Sequence, residues 1–287
     1  MCKFASKIRN LSQENFTGKQ NKRDVKTGEM TFWEHLEELR WHFVRSLIAI
    51  IALMTLAFLN REFIFDQIIL APKEPEFITY RLLCRLGDLL SMPSLCIGNI
   101  HLKIININLS GQFLTHMYIS FFVGLIAAAP YVIWEIWRFI KPALQPNEKK
   151  YARGAVGVIS LLFLLGVVSG YYLIVPFTVN FFASYQVSIS VENQITLSSY
   201  INTVVSLAFS MGVVFELPVF VYFLSRVGLL TSSFLKRNRK YMIIVILVIA
   251  AIITPPDVVS QILVSIPMFI LYEISIFVSK KAAMVKK

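Results

Sequence analysis

The stretch Phe113-Leu-Thr-His-Met-Tyr-Ile-Ser-Phe-Phe-Val-Gly-Leu-Ile-Ala-Ala-Ala-Pro-Tyr-Val-Ile-Trp-Glu-Ile-Trp137 decides the fold. Its single carboxylate, Glu135, comes in the last turn, and its single histidine, His116, in the first. About 20 apolar residues span a bilayer core as helix. In hydrocarbon every backbone polar group must be satisfied within the segment, so helix is the state expected. A barrel strand would instead alternate polar and apolar residues. Five further stretches read the same way: His42–Leu59, Ala155–Phe177, Ile201–Leu224, Tyr241–Thr254 and Val258–Ser279. The chain therefore reads as an all-α integral membrane protein of six transmembrane helices.

Composition agrees. Of 287 residues, 56% are hydrophobic and only 16% charged, and mean hydropathy is +0.65. Soluble domains carry about 25% charged residues. These values exclude a disordered chain and a disulfide-dense secreted domain, and argue against a soluble enzyme. The net charge of +11 would suggest nucleic acid on a soluble chain. Here it follows the membrane instead. All but five of the 28 basic residues fall in the N-terminal flank, the loops after the second and fourth spans, and the tail. By the positive-inside rule both termini face the cytoplasm. Trp33, Trp41, Trp134 and Trp137 all fall at predicted cytoplasmic ends, as an interfacial belt requires. The polar first thirty residues lack the apolar core of a cleavable signal, so the first span is expected to serve as signal anchor.

Three regions follow: a polar basic extension over residues 1–30, a membrane domain over 31–279, and a basic tail over 280–287. The outer loop over 60–110 contains Pro72, Pro75 and Pro93 among apolar stretches and reads as a folded cap. Cys84 and Cys96 both lie in it. They are either a bridge, which an oxidising outer compartment permits, or two buried free thiols. The fifth span is short. Either it starts earlier, near Thr231, or it thins the bilayer locally.

Polar residues that could carry function are few. Thr31 and Glu34 form a capping-box pattern that opens the first helix. Glu34, Glu37 and Glu38 gather on its polar side, either as a solvated helix start or as a carboxylate site. A second cytoplasmic patch runs from Glu135 to Lys150, with Pro142 and Pro146 stiffening the loop and Glu148 beside two lysines. Phe139, at the membrane edge, is either an anchor or a recognition surface. Glu216, in Phe215-Glu-Leu-Pro218, lies inside the fourth span, where a carboxyl is costly unless neutral, paired or hydrated. Pro218 frees the carbonyl of Val214 beside it. The turn Thr254-Pro-Pro-Asp257 draws Asp257 and Gln261 toward the membrane. His116 reads as a satisfied polar residue. No HExxH, GxSxG or Walker pattern is present, no Cys/His spacing suits a metal, and no cofactor is expected. The chain does not read as an enzyme.

These motifs together resemble the TatC family, the multispanning core of the twin-arginine protein translocase. The matching pieces are His35-Leu-Glu-Glu-Leu-Arg40, Ala129-Pro-Tyr-Val-Ile-Trp134, Phe139-Ile-Lys-Pro-Ala-Leu144 up to Glu148, Phe215-Glu-Leu-Pro218, Thr254-Pro-Pro-Asp-Val-Val-Ser-Gln261 and Ile266-Pro-Met268. The resemblance implies a concave bundle in the bacterial inner membrane that binds signal peptides bearing two adjacent Arg. It implicates Glu38, Glu148 and Phe139 in reading that pair, with Glu37 and Arg40 beside them. It implies single-span TatA- and TatB-type partners in an oligomeric complex, meeting Glu216, Gln261 or Asp257, and export driven by the proton-motive force. The first outer loop is enlarged relative to the family pattern. The reading weighed against it is a proton-coupled secondary transporter or channel, with Glu216 as the ion site and Pro218 and Pro267 as helix breaks.

Overall fold

The computed structural model describes residues 32–92, 96, 102–141, 154–188, 190, 193–254 and 257–284. The 1–30 extension, Thr31, Pro142, Pro146, Glu148, and Pro255 and Pro256 of the predicted turn lie outside the described residues. In order, the helices are α1 (Phe32–Leu59), α2 (Ile78–Leu89), α3 (Gly111–Ile140), α4 (Ala155–Ser169), α5 (Val175–Ser184), α6 (Leu197–Val214), α7 (Leu217–Val227), α8 (Ser232–Arg237), α9 (Arg239–Ile253) and α10 (Val258–Met284). The residue pairs Ile104–Ile105 (β1) and Ile195–Thr196 (β2) pair in parallel, the one pair of strands among the described residues.

Among the described residues five segments are long and apolar enough to cross a membrane by length and composition: Glu37–Leu59, Gly111–Ile140, Ala155–Ser184, Leu197–Val227 and Val258–Ala282. Side chains such as Phe43, Leu59, Phe220 and Phe277 point outward from them. A water-soluble monomer does not present apolar surface on this scale. The chain is a multi-pass membrane protein. The third segment is continuous through a π-helical turn at Gly170–Ile174. The fourth is broken at Phe215 and Glu216, where Glu216 precedes α7 without a side-chain capping bond and Pro218 occupies its first turn. Proline has no N–H to give Val214, so the break falls where sequence chemistry puts it.

The fifth apolar stretch is the 15-residue helix α9, about 22 Å long at 1.5 Å per residue. Thr231 caps a separate short helix before it, its side chain accepting from Phe234 N–H at 3.2 Å. Asn238 separates that helix, α8, from α9.

By internal contacts the chain divides into Met1–Trp41 and His42–Lys287. In the first unit the described residues form the opening turns of α1. In the second, α4 packs on α6, α7 on α10, α9 on α10, and α3 on both α6 and α4. Glycine permits the closest approach. A Cβ on Gly166 would lie 2.6 Å from the Met211 carbonyl oxygen. Small residues at a crossing let backbones touch, the main source of attraction between helices in lipid. Between α7 and α10, Ser225 Oγ donates to Ser279 Oγ at 2.8 Å.

The described part of the 60–110 loop is held to the rest of the chain by tyrosines. Tyr171 donates to Ile68 O at 2.5 Å and Tyr200 to Ile69 O at 3.0 Å. Tyr80, on α2, shares its hydroxyl between Pro72 O at 3.0 Å and Pro176 O at 3.1 Å. Burial pushes the Tyr80 hydroxyl up to about 12, so it remains a donor at any physiological pH. The bonds to Ile68, Ile69 and Pro72 take up carbonyls at the ends of short helical turns in the loop. Cys84 of α2 and Cys96 are joined in a disulfide, their Cα atoms 4.1 Å apart. In a Cys2→Ala background, maleimide is expected to label neither cysteine in unfolded protein before reduction and both after it; equal labelling in the two conditions would contradict the bridge.

Candidate functional site

Phe139 lies in the last turn of α3, half-buried. One turn earlier on the same stripe is Glu135, and one turn before that Tyr131, since residues four apart share a helix face. Glu135 is 1% exposed. Its Oε2 hydrogen-bonds to Nδ1 of His42 on α1, itself buried, and its Oε1 accepts from the Tyr131 hydroxyl at 3.0 Å. The Phe139 ring meets the His42 ring edge-on, centroids 6.1 Å apart. Next along α3, Arg138 lies over the Trp134 ring, 5.6 Å from its centroid.

A buried carboxylate costs several kcal/mol in desolvation unless it is paired and its lone pairs are satisfied. Glu135 meets that condition with two donors from two helices. Sequence reasoning treated His42 as the start of a span and Glu135 as the start of a loop patch, and did not pair them. The available signal was depth. Both residues sit at the same end of adjacent antiparallel apolar segments, where each polar group needs a partner.

The remaining expected site residues fall elsewhere. In the first unit, Glu37 and Arg40 are exposed and Glu38 is half-buried. Glu148 lies outside the described residues. Glu216 is half-buried at the α6–α7 break, where its N–H donates to Val213 O at 3.1 Å. Its buried Oε1 has no hydrogen-bond partner, as do Oδ2 of Asp257 and Oγ of Ser260 among the described residues. Asp257 otherwise caps α10, its Oδ1 accepting from Ser260 N–H at 2.6 Å. Gln261 ties α10 to α9 by donating to Leu247 O at 3.0 Å. Glu273, at the other end of the same helix pair, bonds Arg239 at 2.6 Å. Asp257 and Gln261 thus share the α9–α10 turn. His116 is satisfied by Phe58 O at 3.1 Å and stacks on the Phe58 ring.

The family model described as Sec-independent protein translocase protein (TatC) matches residues 34–267. The TatC of a Blattabacterium from Periplaneta americana is 40% identical over 253 residues, covering 88% of this chain and 95% of that protein. The TatC of Carboxydothermus hydrogenoformans is 34% identical over 252 residues, covering 88% and 93%. Among solved structures, a crystal structure of the twin arginine translocase receptor TatC is 31% identical, with a TM-score of 0.65 over 87% of this chain and 99% of that one. A crystal structure of the receptor in the detergent DDM gives 0.68 at the same identity.

The His42–Glu135 pair makes its own prediction. His42→Leu leaves a buried carboxylate with one donor, and thermal unfolding in detergent is expected to show a loss of about 3–5 kcal/mol, the scale for breaking a buried pair; an unchanged melting temperature would contradict the pairing. With sequence family, fold and membrane segments in agreement, the chain belongs to the TatC family of Sec-independent protein translocase components.

Proposed function

We propose that this chain is the receptor subunit of a twin-arginine translocase, binding signal peptides with two adjacent Arg at the cytoplasmic ends of α1 and α3. In this reading six spans cross the inner membrane with both termini inside, and α9 is the short fifth span. The distribution of basic residues supports that orientation. So does the Cys84–Cys96 bridge, which suits a cap facing an oxidising compartment.

The observation that carries the reading is the likeness to a solved twin arginine translocase receptor along nearly the whole of both chains. The chemistry fits. Glu38 and Glu148 supply carboxylates, with Glu37 and Arg40 beside Glu38, and Phe139 supplies an apolar face. A guanidinium pairs with a carboxylate through two parallel hydrogen bonds and keeps its charge, whereas an ammonium is a point donor. Carboxylates at a partly desolvated interface therefore favour Arg-Arg over Lys-Lys. The apolar part of the signal then enters the bilayer along the bundle.

Glu216, Asp257 and Gln261 are read as contacts for the polar groups of single-span TatA- and TatB-type subunits. The unpartnered oxygens on Glu216 and Asp257 support this, since hydrocarbon offers them nothing. No cofactor or nucleotide enters the scheme, and export draws on the proton-motive force.

A photoreactive residue at position 139 is expected to crosslink a twin-Arg signal peptide, and to crosslink a twin-Lys version several-fold less; equal yields with the two peptides would contradict the reading.

A further inference from the structure

We propose that His42, Glu135 and Tyr131 form a positioning clamp that fixes the register of α1 on α3 and so presents Phe139 to the signal peptide. The inference rests on the receptor reading above and adds residues to its site.

From His42 to Leu59, α1 offers little apolar burial. Among its described side chains in that stretch only His42 and Ala57 are buried. Apolar ridges in lipid resist sliding or rotation weakly, because a shifted ridge still meets apolar surface. Three contacts fix the pairing instead. Near one end the Phe58 ring stacks on His116 at 4.0 Å. In the middle α3 approaches so closely that a Cβ on Gly124 would lie 2.6 Å from the Met54 backbone nitrogen. At the other end His42 meets Glu135. All three fit a single antiparallel register.

From Met54 back to His42 is about 18 Å of helix. Over that length the buried hydrogen-bonded pair is the directional contact, and directional contacts set register where apolar ones do not. Tyr131 completes it by holding the second carboxylate oxygen, which fixes the carboxylate plane. Phe139 stands one turn beyond Glu135 and edge-on to the His42 ring. Its place relative to α1 is therefore set through the clamp.

The test uses the full-length protein in lipid nanodiscs and fluorescent twin-Arg and twin-Lys signal peptides. Replacing the pair by His42→Leu with Glu135→Leu removes the buried charge along with its partner, so the melting temperature is expected to hold at the wild-type value. Twin-Arg binding is expected to weaken roughly tenfold, the scale of a modest misplacement, and the preference over twin-Lys to shrink. The exchange His42→Glu with Glu135→His restores a hydrogen-bonded pair and is expected to recover most of the binding. A folded double-leucine variant with wild-type affinity and preference would overturn the clamp. If that variant does not fold, Tyr131→Phe decides, since it removes one hydrogen bond from a partly exposed hydroxyl: weaker twin-Arg binding supports the clamp and unchanged binding overturns it. A wild-type protein that does not prefer twin-Arg would instead sink the receptor reading, which separates the two failures.

Discussion

Hydrocarbon offers no hydrogen bonds, and that constraint orders this molecule from its helices to its site. Each backbone group must be satisfied within its own segment, which makes long apolar stretches helical. A buried carboxylate is costly there unless other groups satisfy it. Glu135 meets that condition: two donors on two helices enclose it. Glu216 and Asp257 differ, each with a buried oxygen that nothing in the described chain meets. The contrast separates a carboxylate enclosed by the bundle from two that each keep one oxygen without a hydrogen bond.

The same accounting explains the cap. The described part of the 60–110 loop is built of short helical pieces, whose ends leave carbonyls to be satisfied. Tyr80, Tyr171 and Tyr200 take up the carbonyls of Pro72, Ile68 and Ile69. A disulfide then closes α2 onto Cys96. The cap is thus docked onto the ends of α5 and α6 by hydrogen bonds, since Tyr80 also reaches Pro176.

Much of the fold was legible in the sequence. The apolar stretches announced their helices by length, Pro218 marked the break in the fourth, and the shortness of α9 was visible. What was not legible depends on contacts distant in sequence. The β1–β2 pairing joins residues about ninety apart, and two isoleucine-bearing dipeptides give no local signal of it. The π-helical turns at Phe63–Ile69 and Gly170–Ile174 answer to packing and not to propensity. The cysteines admitted a bridge or two thiols until their spatial proximity was known. In the site, Phe139, Glu216, Asp257 and Gln261 were singled out because polar or aromatic residues are conspicuous at membrane depth. His42 was not, because a histidine at the start of an apolar span looks ordinary until Glu135 is seen across from it.

The central claim is that carboxylates at the inner membrane face read paired guanidinium groups. It is tested most directly by measuring the affinities of twin-Arg and twin-Lys signal peptides for the nanodisc-embedded protein carrying Glu38→Gln and Glu148→Gln together. The account predicts that this variant melts as the wild type does and binds both peptides equally weakly. A neutralised variant that still favours the twin-Arg peptide as strongly as the wild type does would contradict it.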